Sequence, residues 1–301
     1  MPVSSSAPTM RQRRLARTLK ELRIAAGLKH SDAAAILTCA ESKLTRIENA
    51  KSGIRLLDLR TLLDAYGVTD QAKRDEVEQL AKDARKKGWW AQYSRKIASE
   101  YLGYISVEWD SSEMYSVETF LIPGLLQTPA YTKAVTRMQM PESGEAYAEE
   151  QAALKQERQR ILDRDEPFRL WVVITEAVLH AEVGGPAVRK QQLGHLLTMS
   201  EHSSVELQVL PMSSPSNALL FGAFAVLRFD GTGDVVFAEQ EEGTIYYEEP
   251  AAAERFGQRF RRLNMAALSP EASRSLIAEV ADGLPAASAP QPRKHLSQEN
   301  L

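Results

Sequence analysis

The chain has 301 residues, 44% hydrophobic and 26% charged, a balance that excludes wholesale disorder and suits one large or two ordinary folded domains. No apolar run reaches the roughly 18–20 residues that cross a bilayer, and residues 1–9 lack the basic-then-apolar order of a secretory signal, so a cytoplasmic protein without membrane contact is expected. The formal net charge of −3 hides an asymmetry: Met10–Arg60 carries twelve Lys/Arg against five Asp/Glu, a balance suited to phosphate, whereas Asp234–Glu254 carries seven acids and no Lys or Arg.

Residues 1–9, rich in Ser and Pro, read as a disordered N-terminus. A helix is expected from Thr9, as N-cap, to Ala26, stopped by Gly27, because Leu15, Leu19, Leu22 and Ala26 recur at spacings of three and four. Short helices follow over Ser31–Leu37, capped by Ser31, and Glu41–Asn49, then Leu57–Tyr66 ending at Gly67 and Asp70–Lys87 ending at Gly88. Residues 10–88 are thus expected to form an all-α domain of five helices. A second domain, 89–282, opens with Trp89-Trp90 and is expected to hold helices around Ser94–Tyr104, Asp110–Thr119, Pro129–Met138 and Gly144–Asp163. Strands are expected at Phe168–Ile174 and Val205–Leu210, with the helix Pro186–Glu201 between them. A hairpin, Phe221–Phe229 with Val235–Glu239, turns at Asp230–Asp234, and a short strand follows at Thr244–Tyr247. Helices at Pro250–Ala267 and Ser269–Val280 precede a Pro-, Ser- and Ala-rich tail, 283–301, read as disordered. The fold class is α+β, an all-α head followed by a mixed α/β domain.

The segment Leu28–Asn49 carries the strongest functional signal. A helix-turn-helix needs a small residue where its two helices cross, and Ala34 stands there. Leu37, Leu44 and Ile47 are spaced to grip the crossing, and the second helix would then enter the major groove by its N-terminal turn. By side-chain chemistry Arg46 suits guanine, Glu41 suits the cytosine amino group, and Ser42 suits a base or a phosphate. Lys43 and Lys51 suit phosphate, which sets position and not sequence. Taken alone, the pattern is also that of an ordinary helical hairpin.

Leu28–Lys51, above all Ser-Lys-Leu-Thr-Arg-Ile-Glu at 42–48, resembles the Xre or phage-repressor type of helix-turn-helix. The resemblance implies phosphate contact by His30 and Ser31, and a recognition surface of Glu41, Ser42, Lys43, Thr45 and Arg46. It gives Glu48 a bracing role at the helix end, toward an arginine of the first helix. Thr38 and Ala50 depart from the family, which commonly has Gly at both places. A β-branched residue resists positive φ, so an opened or reshaped turn is expected at Thr38.

Further back, Gly88-Trp89-Trp90, Ile122-Pro123-Gly124-Leu125-Leu126-Gln127-Thr128, Arg158-Gln159-Arg160, Val183-Gly184-Gly185-Pro186, Gln208-Val209-Leu210-Pro211 and Leu268-Ser269-Pro270 occur in this order. Together they resemble the WhiJ-like regulators of actinobacteria (streptomycetes), in which an Xre-type domain precedes a domain of unassigned function. The resemblance implies a homodimeric DNA-binding regulator of development or secondary metabolism. It also implies a small protein partner encoded by a neighbouring gene, and an antitoxin-like role for some members.

Trp89, Trp90 and Tyr93 read as an apolar seam between domains or, less simply, a stacking platform; Pro123–Thr128 reads as a packing turn or a partner contact. The acidic stretch 239–249 reads as a solvated loop, with a basic partner or DNA mimicry as the alternatives. No P-loop, Gly-x-Gly-x-x-Gly or Gly-x-Ser-x-Gly is visible, so no catalytic residues, enzyme activity or cofactor is expected. His195 and His202 lack a third ligand, so no metal is expected, and Cys39 reads as a packing residue. Two rival readings stay open: a protein-interaction adaptor with a degenerate helix-turn-helix, and an enzyme-like rear domain anchored to DNA.

Overall fold

The computed structural model describes residues 9–85, 88–94, 97–165, 168–229, 232–240 and 243–284. The ends read as disordered lie outside these residues, apart from Thr9, Gly283 and Leu284, as do Asp230-Gly231 of the expected hairpin turn and Glu241-Glu242 of the acidic stretch. The chain divides into two compact units, one running to Ser111 and including Phe229 and Thr232, and one made of Ser112–Arg228 with the chain from Gly233 onward.

The first unit begins with α1 (Met10–Ala25), α2 (His30–Ile36), α3 (Glu41–Glu48), α4 (Leu56–Ala65) and α5 (Gln71–Asp83). Thr9 caps α1 in a reciprocal box with Gln12, and Asp70 caps α5. The expected cap at Ser31 is corrected. Helix α2 starts one residue earlier with Lys29 at the cap position, and the Asp32 carboxylate accepts the Lys29 N–H at 2.8 Å. The Asp32 carboxylate, three residues into the helix, thus reaches back to the N–H of the cap residue itself. Leu15, Leu19, Leu44, Ile47, Leu59, Leu62 and Val77 form the shared core of this head. Helix α5 stops at Asp83, short of the expected Lys87. A 3-10 turn over Trp89–Tyr93 and α6 (Ser99–Asp110) complete the unit. The Trp89 ring makes edge contacts with Trp90, Trp109 and Tyr93, at centroid distances of 5.8, 5.9 and 6.1 Å, so these aromatics pack on one another within the first unit.

The second unit is built on a six-stranded sheet of order β3-β2-β1-β4-β5-β6. The strands are β1 (Glu113–Glu118), β2 (Arg169–Thr175), β3 (Val205–Leu210), β4 (Phe224–Phe229), β5 (Thr232–Gln240) and β6 (Gly243–Tyr247). β1, β2 and β3 run parallel, β4 is antiparallel to β1, and β6 is antiparallel to β5. The helices are α7 (Pro129–Gln139), α8 (Gly144–Gln159), the short α9 (Glu176–His180), α10 (Pro186–Met199), α11 (Pro250–Ala266) and α12 (Pro270–Asp282).

Two expectations are corrected here. Asp110–Thr119 is not a helix: Glu113–Glu118 is strand β1, held between β2 and β4, with Met114, Ser116 and Val117 buried. Its pairing partners lie about 55 and 110 residues away, so no local periodicity announces them. Of the acidic stretch 239–249 read as a loop, Glu239 and Gln240 end β5 and Gly243–Tyr247 form β6, while Glu248 and Glu249 follow outside the strands. Val117, Val173, Val226 and Val236 on one sheet face pack with Phe260 and Leu263 of α11. Pro123–Thr128 is a buried turn. The Gln192 side chain accepts from the Thr128 N–H at 2.8 Å and donates to the Leu126 carbonyl at 2.7 Å, while Gln127 donates to the Ile122 carbonyl at 2.7 Å. This is the packing role read from its sequence.

Candidate nucleic-acid interface

Helices α2 and α3 cross where Ala33 and Ala34 are buried, with Leu44 and Ile47 of α3 pressed inward. Burying two such side chains contributes roughly 3–6 kcal/mol, which fixes the roll of α3 about its axis. The consequence is a polar outward face. Glu41, Ser42, Lys43, Thr45, Arg46 and Asn49 are exposed, and among α3 residues Leu44, Ile47 and Glu48 are buried. Every residue expected on the recognition surface lies on this outer side.

Their states differ in ways that bear on recognition. The Arg46 side chain makes no hydrogen bond or ion pair among the described residues, so its guanidinium is available. Lys43 Nζ donates to Asp58 Oδ2 at 3.2 Å, in an exposed pair of the kind worth about 0–1 kcal/mol and easily exchanged. The Thr45 hydroxyl donates to the Glu41 carbonyl at 3.0 Å, which leaves its methyl group as the outer contact. Ser31 and Lys51 are exposed. His30, at the start of α2, places Nε2 3.1 Å from Glu48 Oε2 and keeps part of its ring in solvent.

Glu48 is the brace that its resemblance implied. Its buried carboxylate accepts from Arg23 Nε at 2.7 Å and Nη2 at 2.9 Å, and Arg23 Nη1 donates to the Leu28 carbonyl at 2.7 Å. The hydrogen bond to Glu48 raises the Arg23 pKa against the opposing effect of burial. The pair locks the end of α3 to α1 and to the entry of α2. The neighbouring Tyr66 hydroxyl is buried with no hydrogen-bond partner among the described residues, and burial, reinforced by the Glu48 charge, pushes its pKa up to about 12.

Helices α1, α2, α3 and α4 close alike. After each last turn one residue takes positive φ: Gly27 (71°), Thr38 (52°), Ala50 (56°) and Gly67 (70°). Each closure is a pair of reverse bonds, for α2 Cys39 N–H to Ala34 O at 2.9 Å and Thr38 N–H to Ala35 O at 3.0 Å, and for α3 Lys51 N–H to Arg46 O at 2.7 Å and Ala50 N–H to Ile47 O at 3.0 Å. The turn at Thr38 is therefore not opened. It keeps the left-handed geometry with a residue that resists it.

The basic excess of the head is sorted by folding. Arg11, Arg14, Arg17, Arg23 and Arg60 are engaged by Asp110, Glu76, Glu21, Glu48 and Glu78. Lys29, Arg46, Lys51 and Arg55 are exposed and make no side-chain hydrogen bond or ion pair among the described residues. Lys29 and Arg55 stand at the N-cap positions of α2 and α4 and were absent from the residues expected at the interface. The sequence signal that would find them is a base placed one residue before a helix, as in Arg55 before Leu56-Leu57-Asp58-Leu59.

Among the described residues no group of three His, Cys, Asp or Glu is arranged to hold a metal ion, and no helix is long and apolar enough to cross a membrane. Residues 14–77 match the family model of a helix-turn-helix domain. Residues 101–279 match the model described as a domain of unknown function (DUF5753). No curated protein and no solved structure matches the chain.

Proposed function

Since the chain belongs to the DUF5753 family and carries a helix-turn-helix domain in front, we propose that it is a cytoplasmic, sequence-specific transcriptional regulator that binds double-stranded DNA as a homodimer. The observation that carries this reading is the roll of α3: Leu44, Ile47 and Glu48 are buried while Ser42, Lys43, Thr45 and Arg46 face out. In the major groove Arg46 donates a bidentate pair to guanine, Glu41 accepts from cytosine, and the Thr45 methyl meets thymine. His30, Ser31, Lys29, Lys51 and Arg55 set position on the phosphates, with Lys43 leaving Asp58 to join them. Two copies read half-sites about one helical turn apart, roughly 34 Å.

The rear domain acts in this reading as a binding module and not as an enzyme, receiving a small protein or a metabolite signal. The resemblance to WhiJ-like actinobacterial regulators favours a developmental and antitoxin-like role, with a small partner encoded next to it. An antitoxin co-purifies with such a protein; a signal-gated regulator changes its DNA affinity when the metabolite is added.

The test is binding to DNA fragments selected from the source genome, measured over a range of salt. Arg46→Ala relaxes specificity at one base position and costs about 1–3 kcal/mol, whereas Lys51→Ala weakens all sequences evenly and lowers the salt slope by about one. A chain that selects no sequence, or an Arg46→Ala variant with unaltered preference, refutes the assignment.

A further inference from the structure

The parallel strands β1, β2 and β3 end level with one another: Glu118 pairs with Ile174, and Ile174 with Val209. Strand β4 enters at the same end, where Phe224 pairs with Val117. Three large apolar side chains stand in solvent just beyond it, on the loops that leave β1 and β3 and the one that enters β4. Phe120 is 77% exposed, Met212 61% and Phe221 78%. Neighbouring strands lie about 4.8 Å apart, so the ends of β4, β1 and β3 that carry these loops span only about 15 Å. The carboxyl end of parallel strands is also where open α/β sheets take their ligands.

Helix α11 lies across one face of this sheet, with Phe256 against Phe224 and Phe260 against Tyr115. At about 100° per residue, Arg255, Arg259 and Arg262 fall within about 60° of one another on one flank of the helix. Glu254, Gln258 and Arg261, which bond to one another, centre about 100° further round, so the flank is distinct from that solvated face. Arg259 shows where the flank points. Its guanidinium carbon stands 5.0 Å from the Phe221 and Phe256 centroids and 5.9 Å from that of Phe224, which places it at the start of β4. Cation–π contacts orient a guanidinium without using its N–H donors. None of the three arginines has a carboxylate within ion-pair distance among the described residues, and Arg255 donates only to the Ala251 carbonyl, at 3.2 Å. The carboxylates next to the apolar loops are engaged within them: Glu118 accepts from the Ser116 hydroxyl at 3.1 Å, and Glu176 from the Met212 N–H at 2.8 Å.

We propose that this end of the second unit is a binding site for an organic anion, a carboxylate or phosphate head carried on an aromatic or alkyl body. The head takes a bidentate pair from Arg259, with Arg255 and Arg262 adding charge. The body covers Phe221, Phe120 and Met212. An uncharged apolar ligand would desolvate the Arg259 donors without replacing their bonds, and an inorganic anion would leave the rings in solvent. The inference rests on the reading of the rear domain as a module that receives a metabolite signal, and it names the chemistry of that metabolite.

The test titrates the full chain, without DNA, with naphthylacetate, naphthyl phosphate, the neutral naphthylacetamide and acetate, and reads each Kd by ligand-observed NMR. At least one naphthyl acid binds about tenfold or more tightly than the amide and than acetate, and the ranking of the two acids tells a carboxylate site from a phosphate site. R259M keeps an unbranched apolar side chain among the rings and removes the donors, so the acids fall to the affinity of the amide while the amide is unaffected. F221A weakens acids and amide alike, and R261A, on the internally paired face, changes neither. An amide that binds as tightly as the acids, or a folded R259M that keeps the preference for acids, overturns the proposal. An R261A variant as weak as R259M would reveal unspecific attraction to a basic helix and overturns it as well. Should R259M not fold, the exposed pair R255A/R262A carries the test: the preference for acids falls by about threefold or more, and an unchanged preference refutes the site. Because DNA is absent, loss of probe binding leaves the helix-turn-helix regulator standing, and a failure of DNA recognition leaves the anion site standing.

Discussion

Thr38 and Ala50 close α2 and α3 with the same pair of reverse bonds that Gly27 and Gly67 make after α1 and α4, at φ values of 52° and 56°. A side chain in the left-handed region costs roughly 1–2 kcal/mol, and a β-branched one sits badly there. Glycine removes this cost but loses about 0.5–1 kcal/mol through its freer unfolded state. Thr38→Gly is therefore expected to stabilise the first unit by about 0.5–1 kcal/mol, read as a higher urea midpoint with an unchanged slope. A lower midpoint would show that the Thr38 side chain contributes more than its strain takes away. The position was legible because a helix-turn-helix turn wants glycine. The backbone does not yield to the β-branched side chain, because the reverse bonds and the packing of Leu44 and Ile47 fix both helices that the turn joins.

At the scale of elements, a single glutamine ties the buried Pro123–Thr128 turn to α10. Gln192 serves the Thr128 N–H and the Leu126 carbonyl, both inside the second unit. Gln192→Leu keeps the volume and strands both backbone groups, at about 1–3 kcal/mol each. The variant is expected to lower the melting temperature of the second unit. A Gln192→Leu chain that melts with the parent would mean that shape and not hydrogen bonding holds the turn. The helices of the head were readable because their stop signals and apolar spacing are local. Strand β1 was not: Glu113-Met114-Tyr115-Ser116-Val117-Glu118 becomes a strand because β2 and β4 flank it, and neither neighbour is near in sequence. Nor was the sorting of the basic residues, since a count cannot tell Arg60, held by Glu78 at 2.7 Å, from Arg55, which is open.

For the molecule as a whole, each unit holds a phenol whose pKa is raised to about 12: Tyr66 mainly by burial and then by Glu48, and Tyr115 mainly by burial and then by its hydrogen bond to Glu113. An unfolded tyrosine ionises at 10.0, so above that pH the unfolded chain releases protons that the folded chain retains. Stability from these groups is fully present below pH 10 and is lost as the pH rises through 12. Melting temperatures are expected to fall across this window, and less steeply in Tyr66→Phe and Tyr115→Phe. Phe variants that fall as steeply as the parent would place the alkaline sensitivity elsewhere.

What the sequence determined alone is the part written in short-range patterns: the helical head, the α+β class, and the outward set Glu41, Ser42, Lys43, Thr45 and Arg46. These follow from the 3.6-residue period, once Leu44 and Ile47 are recognised as the inward pair. What only the tertiary structure decided depends on partners distant in the chain: the sheet order, the strand at 113–118, which first-helix arginine Glu48 holds, and which arginines remain open. Ion pairs and strand pairs are chosen by proximity in space, which composition and spacing do not encode.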